Sequence, residues 1–373
     1  MVKRCIFHVP GYLDPDRASA SQIRPVKMKK AFEEIGYTVD IVQGYGKDRK
    51  KQIGIIKKKI KSGITYDFLY SESSTMPTLL TEKSHIPVYP FLDFGFLKYI
   101  KKQGIRVGLF YRDIYWKFPK YKKDVKGLRY FAAVFLYRYD LRQYKRILDK
   151  LYLPSQKMYE YIKYEIPENI VDVLPPGCEH TRIPKKKMGD NSLTLLYVGG
   201  IGGNYRFHTV LEVVSKMPEV NFILCCRKEE WKQELKNYEK YLNKNIYVYH
   251  EKGSGLEKLY EKADIGLVFL ESAAYGNMSM PYKTFEYLGH ELPVIASKGT
   301  VAGSFVMQEN VGWVLEYRAE TMKKLLESLL ENQNKYLEKK KNVQIVAERH
   351  TWAKRAKKVE KDLGKMNVEG RMG

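Results

Sequence analysis

The feature that most limits what this chain can fold into is a rhythm that starts twice. Short runs of apolar, β-branched and aromatic residues alternate with longer segments of helical spacing. In the first half, residues 5–9, 38–42, 68–70, 105–111, 151–153 and 171–174 read as strands, with helices over 25–35, 47–62 and 127–150. Runs this uniformly apolar suit strands buried on both faces, and helices between them imply parallel βαβ units. After a basic, weakly patterned stretch at 183–190 the rhythm restarts, with strands at 193–198, 221–226, 246–249, 265–269, 293–296 and 313–315. A chain of 373 residues has room for two such domains. The expected fold is α/β: two Rossmann-like, doubly wound domains over 1–185 and 186–345, with a helix over 346–373 that crosses back to the first. Ligands in such sheets sit beyond the carboxyl ends of the strands, and two domains add an interdomain cleft.

Composition narrows the function classes. The apolar stretch after Lys3 and Arg4 stops at Pro10, too short for a signal peptide, and no run approaches 18 apolar residues. Cys5, Cys178, Cys225 and Cys226 show neither a CxxC pair nor zinc spacing, and Cys225 and Cys226 read as small buried hydrophobes. The formal net charge is +23, which calls for an anionic partner. Between Lys98 and Lys150 there are 16 Lys/Arg against 4 Asp/Glu, together with eight tyrosines and Trp116. Val134, Tyr137, Leu141, Tyr144 and Leu148 share one helical face there, with Arg138, Arg142, Lys145 and Arg146 beside it. The block reads either as a peripheral contact with an anionic membrane or as a core helix with a solvated basic edge. Without an RRM, KH, zinc-finger or helix-turn-helix pattern, nucleic acid is not expected as a partner.

Two segments carry chemistry. Gly199-Gly200-Ile201-Gly202-Gly203 follows a strand and precedes a helix. Glycines there let backbone N–H groups approach a diphosphate, although a tight turn without a ligand has the same composition. The turn matches neither GxGxxG nor the Walker pattern. In the second segment, Pro281 suits the start of a helix, and Lys283 and Glu286 are three apart on one face. The carboxylate can accept both hydroxyls of a ribose and the ammonium can pair with a phosphate; an exposed ion pair has the same spacing.

Pro281-Tyr-Lys-Thr-Phe-Glu-Tyr-Leu, then Gly289 and Pro293-Val-Ile-Ala-Ser297, resembles the donor-site helix and strand of GT-B glycosyltransferases, in particular the retaining, group 1 sugar-nucleotide transferases of bacterial polysaccharide synthesis. Weaker segments agree in order: Val173-Leu-Pro-Pro-Gly177, Leu196-Tyr-Val-Gly-Gly200, 256–267 and Thr351-Trp-Ala-Lys-Arg-Ala356. The resemblance implies that Glu286 binds the nucleotide ribose and that Lys283, behind Tyr282, lies under the diphosphate. It sets Gly200, Gly202 and Gly203 facing the donor phosphates, with Arg206 or Arg227 as the second cation. Met278 stands where the family often has a second glutamate, and 274–279 departs from the family's Glu-Gly/Pro-Phe-Gly stretch.

Loss of a nucleotide diphosphate leaves negative charge that the site must meet with cations and N–H donors. The one Asp-x-Asp triplet, Asp14-Pro15-Asp16, reads as a turn, so no metal and no other cofactor is expected. On the acceptor side, His8 and Gly11 lie at a strand's carboxyl end, and His8 reads equally as a base or a structural residue. Asp113 is the candidate catalytic residue: a general base if configuration inverts, an acceptor-orienting group if it is retained, with a helix cap or a salt bridge to Arg112 as the plain alternative. The expected function is metal-independent transfer of a sugar from a nucleotide-sugar donor to a glycan or lipid-linked acceptor, in the cytoplasm, at the inner face of the membrane. A non-catalytic subunit that binds a partner transferase or glycan, and a basic membrane- or nucleic-acid-binding protein, are the other readings.

Overall fold

The computed structural model describes residues 2–13, 20–181, 192–203, 205–271 and 276–364. The Asp14-Pro15-Asp16 triplet and the linker at 183–190 lie outside the described residues. The chain divides into two compact units, Met1–Pro176 with the segment from Trp352 onward, and Gly177–Thr351.

The first unit runs β1 (Arg4–His8), α1 (Ala20–Glu34), β2 (Thr38–Val42), α2 (Gly46–Lys61), β3 (Phe68–Glu72), α3 (Leu92–Lys102), β4 (Arg106–Phe110), α4 (Pro119–Asp124), α5 (Leu128–Ile147), β5 (Lys150–Leu153), α6 (Gln156–Tyr159) and β6 (Val171–Val173). All strand pairs are parallel, in the order β2-β1-β3-β4-β5-β6. The order reverses between β1 and β3, so their carboxyl ends open at a switch point. Phe7, Phe32, Phe68 and Tyr70 form a fully buried aromatic knot, with Phe32 centred 5.4 Å from both Phe68 and Tyr70. The helix α14 (Trp352–Leu363) completes this unit. Its Leu363 lies where a β-carbon on Gly108 of β4 would fall, 2.4 Å from Cδ1. The Tyr152 and Tyr37 hydroxyls donate to Asp362 and Glu360 of α14, each at 3.1 Å.

The second unit runs β7 (Leu193–Val198), α7 (His208–Val214), β8 (Val220–Cys225), α8 (Lys228–Tyr238), β9 (Ile246–Tyr249), α9 (Ser254–Lys262), β10 (Ile265–Val268), α10 (Tyr282–Gly289), β11 (Val294–Ser297), α11 (Val301–Gln308), β12 (Gly312–Leu315), α12 (Ala319–Glu331) and α13 (Gln333–Arg349). Its parallel sheet has the order β12-β11-β10-β7-β8-β9. Numbered within the unit this is 3-2-1-4-5-6, the Rossmann order, with the switch point between β7 and β10. Those two strands pair only at Ile265↔Leu195 and Gly266↔Leu196, then part. Tyr287 of α10 fills the fork: its hydroxyl accepts from the Val198 amide at 3.2 Å and donates to the Leu267 carbonyl at 3.4 Å. The ring fits because residue 266 is glycine; a β-carbon there would lie 2.3 Å from the ring.

Three boundaries differ from the sequence reading. α1 spans Ala20–Glu34, with Pro25 inside it instead of at its start; a proline there gives up one i→i−4 hydrogen bond. The units divide after Pro176, not 185, because the Cys178 amide donates to the His350 carbonyl at 2.9 Å and the Thr181 amide to Gly289 at 3.0 Å, pinning 177–181 onto the second unit. The return to the first unit comes at Trp352, not 346, since α13 continues to Arg349 with Val343, Val346 and Ala347 buried in the second unit's core.

Candidate functional site

In the second unit the residues expected at the donor end collect around the β7/β10 switch point. Beyond β7 the chain turns at Gly199 (φ +148°) and Gly202 (φ +87°), a backbone path that a side chain would resist. Gly202 and Tyr205 exchange backbone hydrogen bonds of 3.0 Å in both directions, which closes the turn. Gly203 also has positive φ, at +60°. A carboxylate already sits against the turn: Glu230 of α8 accepts from the Ile201 amide at 3.1 Å and pairs with Arg227. A β-carbon on Gly200 would lie 3.4 Å from that carboxylate and 3.8 Å from Arg227 Nη1, so Arg227 stands over the turn. Arg206 is exposed, outside α7, and its Nε donates to the Gly203 carbonyl at 3.2 Å.

Lys283 faces the same turn from α10. Its Nζ would approach a β-carbon on Gly199 to 2.9 Å. It lies 3.7 Å from the centre of the Tyr197 ring and 5.3 Å from that of Tyr205. Rings at these distances stabilise a partly desolvated ammonium by about 1–2 kcal/mol. No carboxylate lies within ion-pair distance of the amine among the described residues. Burial brings Lys283 down to about 7, against the opposing pull of Glu286. Tyr282 opens the helix, and Glu286, half-buried, lies one turn beyond. The arrangement sets an amine on one side of the glycine turn, a guanidinium on the other and a carboxylate a helical turn away, charges suited to a diphosphate joined to a polyol.

Four residues here escaped the sequence reading. Tyr197 and Tyr205 hold the amine, Tyr287 holds the fork open, and Glu230 occupies the turn. Tyr287 lies within the segment that drew attention, but its role depends on Gly266, 21 positions earlier, and no local pattern links them. Glu230 had a signal, its spacing of three from Arg227 at a helix start. Met278, where the family often places a glutamate, is buried at 2% exposure, and the Asn277 carbonyl beside it accepts from the Val301 amide at 3.2 Å. Ala274 and Tyr275 lie outside the described residues.

In the first unit, His8 ends β1 with both ring nitrogens engaged: Nδ1 with Ser71 Oγ at 2.8 Å and Nε2 with Asp93 Oδ1 at 2.9 Å. Asp93 also pairs with Arg49 at 2.8 Å. Burial pushes the Asp93 carboxyl up, but His8 and Arg49 together hold it below its ordinary value. His8 is thus locked in a buried ion network that shapes the switch point of this sheet. A cavity of about 10 Å³, room for one water, lies against it, lined also by Glu72, Ser73 and Thr78. Gly11 (φ +142°) bridges to Gly44, whose amide donates to its carbonyl at 2.8 Å. Asp113 Oδ1 accepts from the Tyr115 amide at 2.8 Å, just ahead of the short turn Tyr115–Lys117. Arg112 pairs with buried Glu72 at 3.1 Å. Among the described residues no three His, Cys, Asp or Glu side chains come together as metal ligands.

Over nearly its whole length the chain resembles solved glycosyltransferases. HepE of Anabaena in complex with UDP-glucose matches with a TM-score of 0.63 at 13% identity, covering 96% of this chain and 99% of that one. A glycosyltransferase of Rickettsia africae matches at 0.66 and 14%, covering 98% and 100%. Sucrose-phosphate synthase of Thermosynechococcus elongatus matches at 0.66 and 12%, covering 96% and 98%. Two Rossmann-like units of this kind are the GT-B architecture, and the chain has that fold. Residues 180–358 match the family described as glycosyl transferases group 1. No curated protein matches the sequence.

Proposed function

We propose that the protein transfers one sugar from a nucleotide-sugar donor to a glycan or lipid-linked acceptor, with retention of configuration and without a metal ion, in polysaccharide or glycoconjugate synthesis at the cytoplasmic face of a membrane. The observation that carries this reading is the desolvated Lys283 amine over the Gly199–Gly203 turn. In this reading the second unit binds the donor. Lys283 and Arg227 meet the charge that develops on the departing diphosphate, and Glu286 takes the ribose hydroxyls. Arg206, exposed and tied to Gly203, serves the outer edge of the site. The complexes of HepE with UDP, with UDP and glucose, and with UDP-glucose support a donor of this class. The first unit holds the acceptor beyond β1 and β4, where Asp113 orients it, and His8 shapes the floor from beneath. The basic block 98–150 is the membrane contact in this scheme.

A second reading, a GT-B subunit that binds a donor or glycan without turnover, draws on buried Met278 in place of a polar donor-sugar contact. Turnover separates the two. Purified protein incubated with UDP-, GDP- and ADP-sugars in EDTA is expected to hydrolyse one of them slowly to the nucleotide diphosphate, releasing sugar in the donor's anomeric configuration. Activity only with added Mg²⁺ or Mn²⁺ would overturn the metal-free scheme, the opposite anomer would overturn retention, and binding without turnover even with lipid-linked and glycan acceptors would favour the second reading.

A further inference from the structure

The helical stripe that stood out in the basic block is core. Tyr137, Leu141, Tyr144 and Leu148 are all buried. A different face of α5 is open. Leu128, Phe131 and Phe135, spaced i, i+3, i+7 on one side of its first two turns, are 88%, 66% and 62% exposed. Arg138 and Arg142 continue the same face, so along the exposed line apolar side chains give way to cations. Lys120, Lys122, Lys123 and Lys126 of the preceding segment are exposed too, as are Arg129, Lys145 and Arg146 of α5. None of these nine cations makes an ion pair or hydrogen bond among the described residues. Between residues 120 and 146 the sole exposed acid is Asp124, which accepts a hydrogen bond from the Tyr115 hydroxyl.

Exposed aromatic side chains on one helix face mark an interaction site, since a solvated helix has no use for them. Their collar decides the partner. A protein partner would have to present many carboxylates around an apolar socket, whereas an anionic bilayer presents a diffuse negative surface over an apolar interior. We propose that the first two turns of α5 lie in the interface of an anionic membrane, with Leu128, Phe131 and Phe135 among the acyl chains and the nine cations at the phosphates. The inference narrows the membrane contact of the proposed function to three side chains, and it stands or falls independently of the donor chemistry.

The test is co-sedimentation of the full chain with vesicles of phosphatidylcholine alone and of phosphatidylcholine with one-third phosphatidylglycerol, over a salt series. The expected result is binding to the anionic vesicles only, weakening with salt, and reduced at least tenfold in the triple variant Leu128→Ser/Phe131→Ser/Phe135→Ser. All three side chains are exposed, so that variant should keep the wild-type melting temperature and its stabilisation by nucleotide sugars; these readouts separate failed docking from a failed fold or donor site. As a second variant, Lys122→Glu/Lys123→Glu should weaken anionic binding and leave the fold intact. Wild-type protein that stays in the supernatant at low salt would overturn the proposal. So would a triple variant that sediments as well as wild type, or light scattering that shows a dimer which the same three substitutions dissolve.

Discussion

At the scale of single residues, the proposed donor site of the second unit depends on a glycine and a tyrosine that touch no ligand in any reading. Gly266 lets the Tyr287 ring lie against β10, and the Tyr287 hydroxyl ties the parted ends of β7 and β10. Gly266→Ala forces a β-carbon into that ring, an overpacking cost of roughly 1–3 kcal/mol. Tyr287→Phe removes two hydrogen bonds and leaves the Val198 amide unpaired, costing about 1–3 kcal/mol. Both variants are expected to lower the denaturant midpoint, and Tyr287→Phe also to weaken nucleotide-sugar binding, because the fork sets where the Gly199 turn meets Lys283. Unchanged midpoints would show that the fork is held by other contacts. Lys283 and Glu286 were legible in the sequence because both lie in one eight-residue helix with a family pattern. Tyr197 and Tyr205 were not, because an aromatic pair around an amine leaves no spacing signature when its members come from a strand, a turn and a distant helix.

At the scale of elements, the alternation of apolar runs placed every strand within a residue or two, since a strand buried on both faces can be written in few ways. The helices were less legible. α3 went unread although Phe94, Phe96, Leu97 and Ile100 are buried, because its lysines dilute the apolar face. In α5 the stripe fits a membrane contact and a core helix equally in sequence, since an exposed apolar line on a neighbouring face has the same period and only burial separates them. The helix α14 belongs to the first unit, where Leu363, Val359 and Ala356 are fully buried. Ending the chain after Thr351 would uncover the Leu363 site against Gly108 and remove the Tyr152 and Tyr37 hydrogen bonds. The first unit should then become protease-sensitive while the second keeps its protection, a contrast that limited proteolysis with mass spectrometry reads directly. Equal protection in both units would contradict the assignment of α14.

At the scale of the whole molecule, the second unit carries charge that is arranged before any ligand arrives. The clearest sign is an amine brought down to about 7 by burial in a site whose proposed ligand is a diphosphate. In the free protein Lys283 is charged below that pH and neutral above it; a bound diphosphate favours the charged form and raises its pKa. Donor affinity should therefore be greatest below pH 7 and fall as pH rises, with proton uptake on binding above it. A nucleotide sugar is the right probe, because its diphosphate is esterified at both ends and does not titrate in this range. The decisive measurement is calorimetric titration of the best-binding nucleotide sugar at pH 6.5 and 8.5. For the wild type, a roughly 20-fold weaker affinity is expected at the higher pH, and for Lys283→Met a weak affinity that no longer depends on pH. Wild-type affinity independent of pH, or a Lys283→Met variant that binds as tightly as wild type, would contradict that expectation.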